Sequence, residues 1–344
     1  MRVVTQTHMA REIDEIPQVA QQFLSANGPI LAELGAALRS LDPQLIVTVA
    51  RGSSDHAATY LKYAAELTAG VPVASVGPSV ASVYNRSLRL DRAACIGISQ
   101  SGASPDIVAM LQSARAAGAL SVAITNTPEA PIASAVNYCL PLQAGVESSV
   151  AATKTFVVSV LAGLALVSAW QDDARLGSAI AALPEAFAAA LLQDWTALSD
   201  RLLRAQSAYV LGRGPGVAIA AEMALKLKET CGLHAEAHSA AEVLHGPAAI
   251  VRQRFPVLAL AVEDAARDHV IATAERLAGQ GADVFITACA AAGARTLPTP
   301  APLHPLVDPL VSVVSFYAMA EKLSRRRGFD PDTPFQLQKI TSTM

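Results

Sequence analysis

Along the chain, short runs of β-branched and apolar residues alternate with longer stretches in which Ala and Leu recur at helical spacing. "LIVTVARGSS" (45–54) runs into "DHAATYLKYAAEL", and "AACIGISQSG" (93–102) into "PDIVAMLQSARAAG". "LSVAITNT" (120–127) and "NYCLPL" (137–142) follow, and "VAATKTFVVSVLAGLAL" closes the set. Alternation of this kind predicts a parallel sheet with helices on both faces.

The order then recurs. Arg51-Gly52 returns as Arg213-Gly214, 162 positions on, and the same step carries "CIGIS" (95–99) to "VLALA" (257–261). It also carries Asp106-Ile107-Val108 to Asp268-His269-Val270, and "LSVAIT" (120–125) to "ADVFIT" (282–287). One offset across three strands predicts two tandem copies of a doubly wound α/β unit. In the second copy "SQSGAS" (99–104) becomes "VEDAAR", so the fold does not need the serine cluster. Conversely, "GLHAEAHSAAEVLHGP" (232–247) has no counterpart in the first copy. Ligands of open α/β sheets sit beyond the carboxyl ends of the strands. Both specialised segments are expected there, serving one composite site.

Composition narrows the class. With 344 residues, 52% hydrophobic and 16% charged, the chain can fill a substantial core. A net charge of −3 gives no footprint for nucleic acid, and "RRR" (325–327) reads as a helix end. The four cysteines, Cys95, Cys139, Cys231 and Cys289, are scattered among apolar residues and read as small core residues in a reducing compartment. The N-terminus lacks the apolar core of a signal peptide. The longest apolar stretch, "FVVSVLAGLALVSAW" (156–170), falls short of the ~20 residues of a membrane span and reads as a buried helix. The expectation is a cytoplasmic globular protein with no membrane or nucleic-acid partner.

"SQSGASPD" ends a strand and opens a helix, with Pro105 in the first turn. Helix N-termini bind anions through unpaired N–H groups. Hydroxyls of Ser99, Ser101 and Ser104 and the Gln100 amide would add donors suited to a phosphate monoester held without a counter-charge. Ser53 and Ser54 follow the first strand at the same edge. Ordinary helix capping explains the serines equally well at this point. Two other patterns are incomplete. "GISQS" has Ser101 where a hydrolase elbow needs Gly. "GRGPG" (212–216) has its acids, Glu263 and Asp264, 47 or more positions on rather than ~20.

"ALKLKETCGLHAEAHSAAEVLHGP" (224–247) is the densest polar chemistry in the chain. Lys226 and Glu229 are three apart and share a helix face, as a catalytic pair or a surface ion pair would. Cys231, His234 and His238 have C-x-x-H-x-x-x-H spacing, but Gly232 interrupts the helix and no fourth ligand is placed, so no metal is expected. His245 precedes a Gly-Pro turn, where a side chain is fixed yet reachable.

Six motifs in order, "ARGSSDHAA", "SQSGASPD", "ESSVAATKTF", "ALKLKE", "HAEAHSAAEVLHGP" and "LQKITST", resemble the tandem sugar-isomerase (SIS) domain proteins. The nearest pattern is the isomerase half of the glutamine–fructose-6-phosphate aminotransferases, over nearly the whole chain. The resemblance implies two flavodoxin-like SIS domains, with a phosphate pocket from Ser54, Ser99, Gln100, Ser101 and Ser104 and sugar contacts from Val150. It implies Glu229 as the acid/base between C1 and C2, with Lys226 beside it, and His245 as the ring opener reaching in from a partner subunit. Lys339 would form a Schiff base with the open-chain ketose. A 1,2-proton shift needs one base near both carbons, and a neighbouring cation stabilises the developing oxyanion.

The synthase pattern begins with a glutaminase domain, whereas here position 2 is Arg2 and about one helix precedes the first strand. "SVAATK" has Ala152 where the synthase has Ser. These departures favour an SIS-type glucosamine-6-phosphate deaminase, converting glucosamine 6-phosphate and water to fructose 6-phosphate and ammonia. An aminotransferase-type (isomerizing) enzyme, or a deaminase of galactosamine 6-phosphate or fructosamine phosphates, is the alternative. A non-catalytic phosphosugar sensor is the competitor from another class. The expected organisation is an N-terminal helical segment (1–35), a first SIS domain (36–175), a helical linker (176–205), a second SIS domain (206–328) and an active-site tail (329–344). A homodimer with shared sites and no cofactor completes the expectation.

Overall fold

A computed structural model describes residues 6–337. Helices α1 (His8–Asp14), α2 (Ile16–Ala26) and α3 (Gly28–Leu41) precede β1 (Leu45–Val49). Then come α4 (Ser53–Thr68), β2 (Val73–Ser75), the short α5 (Ser79–Ser82) and β3 (Ala93–Ile98). α6 (Pro105–Ala116), β4 (Leu120–Thr125), the short α7 (Pro131–Ser134), β5 (Tyr138–Pro141) and α8 (Lys154–Gln171) complete the first run.

α9 (Ala174–Ala181), α10 (Leu183–Leu191) and α11 (Thr196–Leu202) lead to β6 (Ser207–Gly212) and α12 (Gly216–Cys231). β7 (His234–Ser239) is followed by two 3-10 turns, Glu242–His245 and Pro247–Ile250. β8 (Pro256–Ala259), α13 (Arg267–Gly279), β9 (Asp283–Thr287), β10 (Ala294–Leu297) and α14 (Asp308–Arg326) end the described fold.

The strands form two five-stranded sheets, ordered β2-β1-β3-β4-β5 and β7-β6-β8-β9-β10. Every pairing is parallel, and the two orders are the same when each copy is counted from its first strand. The duplicated doubly wound unit is thus present. The offset of 162 reaches the helices: α6 begins at Pro105 and α13 at Arg267. It fails after the fourth strand, because Tyr138 opens β5 and Ala294 opens β10, only 156 positions later.

The chain separates into two compact units that interleave in sequence. One gathers Ala182–Leu337 with Ser148–Thr153 and the described part of Met1–Pro17; the other gathers Gln18–Glu147 and Lys154–Ala181. In the latter, Val47, Val49 and Cys95 of the sheet bury against Ile107, Met110 and Leu111 of α6. In the former, Leu211, Val257 and Ile286 bury against Val270, Ala274 and Leu277 of α13.

Three helices, not one, precede β1. Pro17 and Gly28-Pro29 sit in first turns rather than as long breaks, so a continuous helical pattern hides three segments. α3 also runs across the expected boundary at 35/36. α8 is apolar all round, and 83% of it is buried. It is covered by α3 and α4 of its own unit, so its hydrophobicity asks for no second chain. Cys95, Cys231 and Cys289 are buried, but Cys139 is half-exposed. The arginine run does end α14, where Arg327 donates to the carbonyls of Cys231, Leu202, Leu203 and Ala205.

Candidate functional site

In the unit of the first sheet, Ser99 to Ser104 lie beyond the carboxyl end of β3. Gly102 takes φ +60°, and an added Cβ would fall 2.7 Å from Ile132 and 2.8 Å from Ala130. Glycine is therefore required to fold the loop this tightly. Ser99 and Ser101 turn back on the loop, their Oγ atoms accepting the Gly102 and Ala103 N–H groups at 3.2 and 3.4 Å. Their O–H groups remain as donors. The Gln100 carbonyl accepts from Asn126 N at 3.2 Å, which fixes the backbone and leaves the side-chain amide to point elsewhere.

Ser104 is the N-cap residue of α6, yet its hydroxyl makes no capping bond. Capping therefore does not explain this serine. Arg51, after β1, donates from Nε to buried Asp106 at 2.8 Å in the first turn of α6, and forms a salt bridge through its other nitrogen. This pair ties the turn carrying Ser53 and Ser54 to the serine loop. Its counterparts Arg213 and Asp268 form no ion pair among the described residues. Ser53 and Ser54 open α4, next to Asp55, whose carboxyl is raised by burial against the opposing pull of His56 and Ser75.

Replacing Ser101 with Ala is expected to raise KM for a phosphorylated sugar about 10- to 100-fold, the worth of one charge-assisted hydrogen bond of ~1.5–3 kcal/mol. The fold should persist, since the second copy lacks the serines. Steady-state kinetics on Ser99→Ala, Ser101→Ala and Ser104→Ala check this, and unchanged KM in all three would remove the loop from the site.

The other unit holds the second cluster. α12 puts Glu222, Lys226 and Glu229 on one face at i, i+4 and i+7. Lys226 Nζ lies 3.3 Å from Glu222 Oε1 and donates to Glu229 Oε2. Glu222 also accepts the Tyr317 hydroxyl at 2.8 Å. The Lys226 and Glu222 side chains are 1% and 0% exposed, whereas Glu229 is 21% exposed. Burial alone would lower the Lys226 pKa, but Glu222 and then Glu229 more than offset it and hold the ammonium above its ordinary range. The result is a fixed cation with one buried anchor and one reachable carboxylate. Glu222 and Tyr317 are absent from the sequence reading; Glu222 was legible as the residue four before Lys226.

Both specialised segments were expected beyond the carboxyl ends of the strands. That holds for the serine loop and for His245, which ends the 3-10 turn after β7 and is exposed. Lys226 and Glu229 precede that second segment, in α12. A helix between parallel strands runs back along the sheet, so the last turn of α12 lies at the amino edge. The six residues of β7, about 20 Å long, run between α12 and the turn that carries His245.

Val150 belongs to the α12 unit, and its N–H donates to the Asp332 carbonyl at 3.2 Å. Buried Glu12 of α1 holds the same loop, accepting from the Ser148 and Ser149 N–H groups and the Ser149 hydroxyl. Cys231, His234 and His238 do not converge. Cys231 is buried, with its thiol pushed up to about 11, and donates to Ala320 O. His234 and His238 flank Glu236 at 3.4 and 3.3 Å. Lys339 lies outside the described residues.

Comparisons with known proteins give a consistent picture. The SIS domain family model matches residues 42–169 and 201–296. The glutamine–fructose-6-phosphate aminotransferase [isomerizing] of Gloeobacter violaceus is 32% identical over 365 residues, covering 96% of this chain but 58% of that protein. A solved structure from Silicibacter pomeroyi DSS-3, provisionally described as a phosphosugar isomerase, is 51% identical. It covers 95% of this chain and 100% of its own, with a TM-score of 0.92. A glucosamine-6-phosphate deaminase from Thermotoga maritima, 19% identical with a TM-score of 0.79 over 98% of this chain and 100% of its own, shares the fold alone.

Proposed function

The chain belongs to the SIS domain family, and from that premise we propose that it is a phosphosugar isomerase of the aminotransferase type, forming an amino-sugar 6-phosphate from a ketose 6-phosphate. The curated relatives support this reading over the deaminase reading, because their similarity extends to sequence where the deaminase shares only the fold. The chain spans 58% of that relative's length, so the nitrogen source of the whole reaction is part of the proposal.

The observation that carries the reading is the Glu222–Lys226–Glu229 row. In the proposed reaction, open-chain fructose 6-phosphate forms a Schiff base at C2 with Lys339, releasing water, and ammonia then displaces the lysine to leave the 2-imine. Glu229 takes a proton from C1 and returns it to C2 while the O1 proton passes to the imine nitrogen, giving the aldehyde at C1 and the amine at C2. One carboxylate serves both carbons, and Lys226 holds it in place by a hydrogen bond. The serine loop holds the phosphate, with Ser53, Ser54 and Gln100 as further donors, Val150 contacts the sugar, and Lys339 supplies the imine-forming amine. Formation of glucosamine 6-phosphate from fructose 6-phosphate and ammonia tests the assignment. Ammonia release without the reverse synthesis would restore the deaminase, and binding without turnover would make the chain a sensor.

His245 opens the sugar ring, and β7 runs between it and the Glu229 of its own chain. We therefore propose a homodimer in which His245 completes the partner's site. Mixing inactive Glu229→Gln and inactive His245→Ala chains is expected to restore about a quarter of wild-type activity, since half of randomly paired dimers would carry one lesion-free site of two. No recovery after demonstrated subunit exchange would place both residues in one chain's site.

A further inference from the structure

We infer that the unit of the second sheet carries an oligophosphate-binding groove at the amino edge of that sheet, distinct from every residue assigned above to the sugar. A groove of about 880 Å3 opens there, walled by residues that lead into β6, β8, β9 and β10. Five arginines line it: Arg201, Arg204, Arg254, Arg295 and Arg326. Only two carboxylates do, Asp200 and Asp283. A chain of net charge −3 thus gathers a local excess of three positive charges in one concavity.

The two carboxylates act as braces. Arg201 pairs with Asp283, and Arg326 donates to Asp200 at 2.7 Å and to the Ser199 hydroxyl at 2.8 Å. Arg254 comes no closer than 3.8 Å to Asp283, which Arg201 already occupies, and its side chain stays 76% exposed. Arg295 lies over the Phe285 ring, 5.8 Å from its centroid; the ring face supports the guanidinium without neutralising it. Arg204 is exposed and forms no ion pair among the described residues. Three guanidinium groups therefore keep their charge and their donors.

That arrangement selects a ligand class. Planar guanidinium forks match phosphate oxygens in pairs. Three unneutralised charges fit a di- or triphosphate chain better than a monoanion. The volume lies within the ~300–1,000 Å3 of small-molecule sites. The chain's negative net charge opposes a long nucleic-acid backbone, whose binding rests on neutralising many phosphates.

Calorimetric titration of the full chain with inorganic triphosphate tests the groove, with orthophosphate as control and ATP in parallel. One triphosphate per chain is expected, bound at least 10-fold more tightly than orthophosphate. Each of Arg204→Gln, Arg254→Gln and Arg295→Gln should weaken it by about 10-fold or more, as expected for lost charge-assisted bonds. The triple variant should abolish binding, while Ser99→Ala/Ser101→Ala should bind triphosphate as wild type does. Equal affinity for ATP assigns recognition to the phosphate chain, and tighter ATP binding assigns the groove to nucleotides; either supports the site. Absent binding, undiminished binding in the arginine variants, orthophosphate bound as tightly as triphosphate, or loss in the serine variant would overturn it. The single variants keep the test intact should the triple fail to fold.

Discussion

Glu229→Gln is expected to cut kcat by about 10²–10⁴-fold with KM changed only a few-fold, the usual scale of a lost general base. The amide is nearly the same size and can still accept from Lys226, while Lys226 keeps its second partner, Glu222. The substitution therefore removes the proton acceptor and leaves its surroundings in place. Because Glu229 is the partly exposed member of the row, the fold should tolerate the change. Steady-state kinetics, with sugar-phosphate binding measured separately, reads the two effects apart. Turnover within 10-fold of wild type would move the proton shift to another residue.

Lys226→Met attacks the same row from its buried end, and here the larger loss is expected in stability. Removing one partner from a buried ion pair costs about 3–5 kcal/mol, because the remaining charge stays buried without its counter-charge. Glu222, at 0% exposure, would lose the ammonium 3.3 Å from it and keep the Tyr317 hydroxyl as a donor. At roughly 2–4 °C per kcal/mol for a unit of this size, Tm should fall by about 10 °C. Glu222→Gln added to Lys226→Met should recover much of that loss, since a neutral amide replaces the buried carboxylate. Melting curves of the two variants decide it. A single variant as stable as wild type, or a double variant no better than the single, would mean that the pair does not carry this energy.

Much of the fold was legible because its repeat preserves register. β1, β3 and β4 return as β6, β8 and β9 under one offset, and even the start of α6 recurs in α13. The last quarter of each copy was not legible that way, since β10 arrives six positions early and no constant step predicts it. Direction was the subtler loss. One dense polar stretch carries Lys226, Glu229 and His245, yet a helix followed by a parallel strand carries residues 16 to 19 positions apart to opposite edges of one sheet. Long-range partners had no local signal: Tyr317 reaches Glu222 across 95 positions, and Glu12 reaches Ser149 across 137. The serine loop was different. Its turn chemistry is local, so "SQSGAS" announced both its glycine and its donors.

The anchoring of α1 also bears on synthesis order. Thr7 donates to Glu321 at 2.8 Å, and the His8 and Met9 N–H groups donate to the Asp332 carboxylate at 2.8 Å. His8 and Asp332 are 324 positions apart. At the ~5–20 residues per second of translation, α1 leaves the ribosome roughly 15–65 s before Glu321 and Asp332 exist. Gln18–Glu147 and Lys154–Ala181 have emerged long before that. α1 thus completes its contacts only when the end of α14 and Asp332 have emerged, and its apolar face, with Met9 and Ile13 buried in the finished fold, stays within reach of chaperones until then.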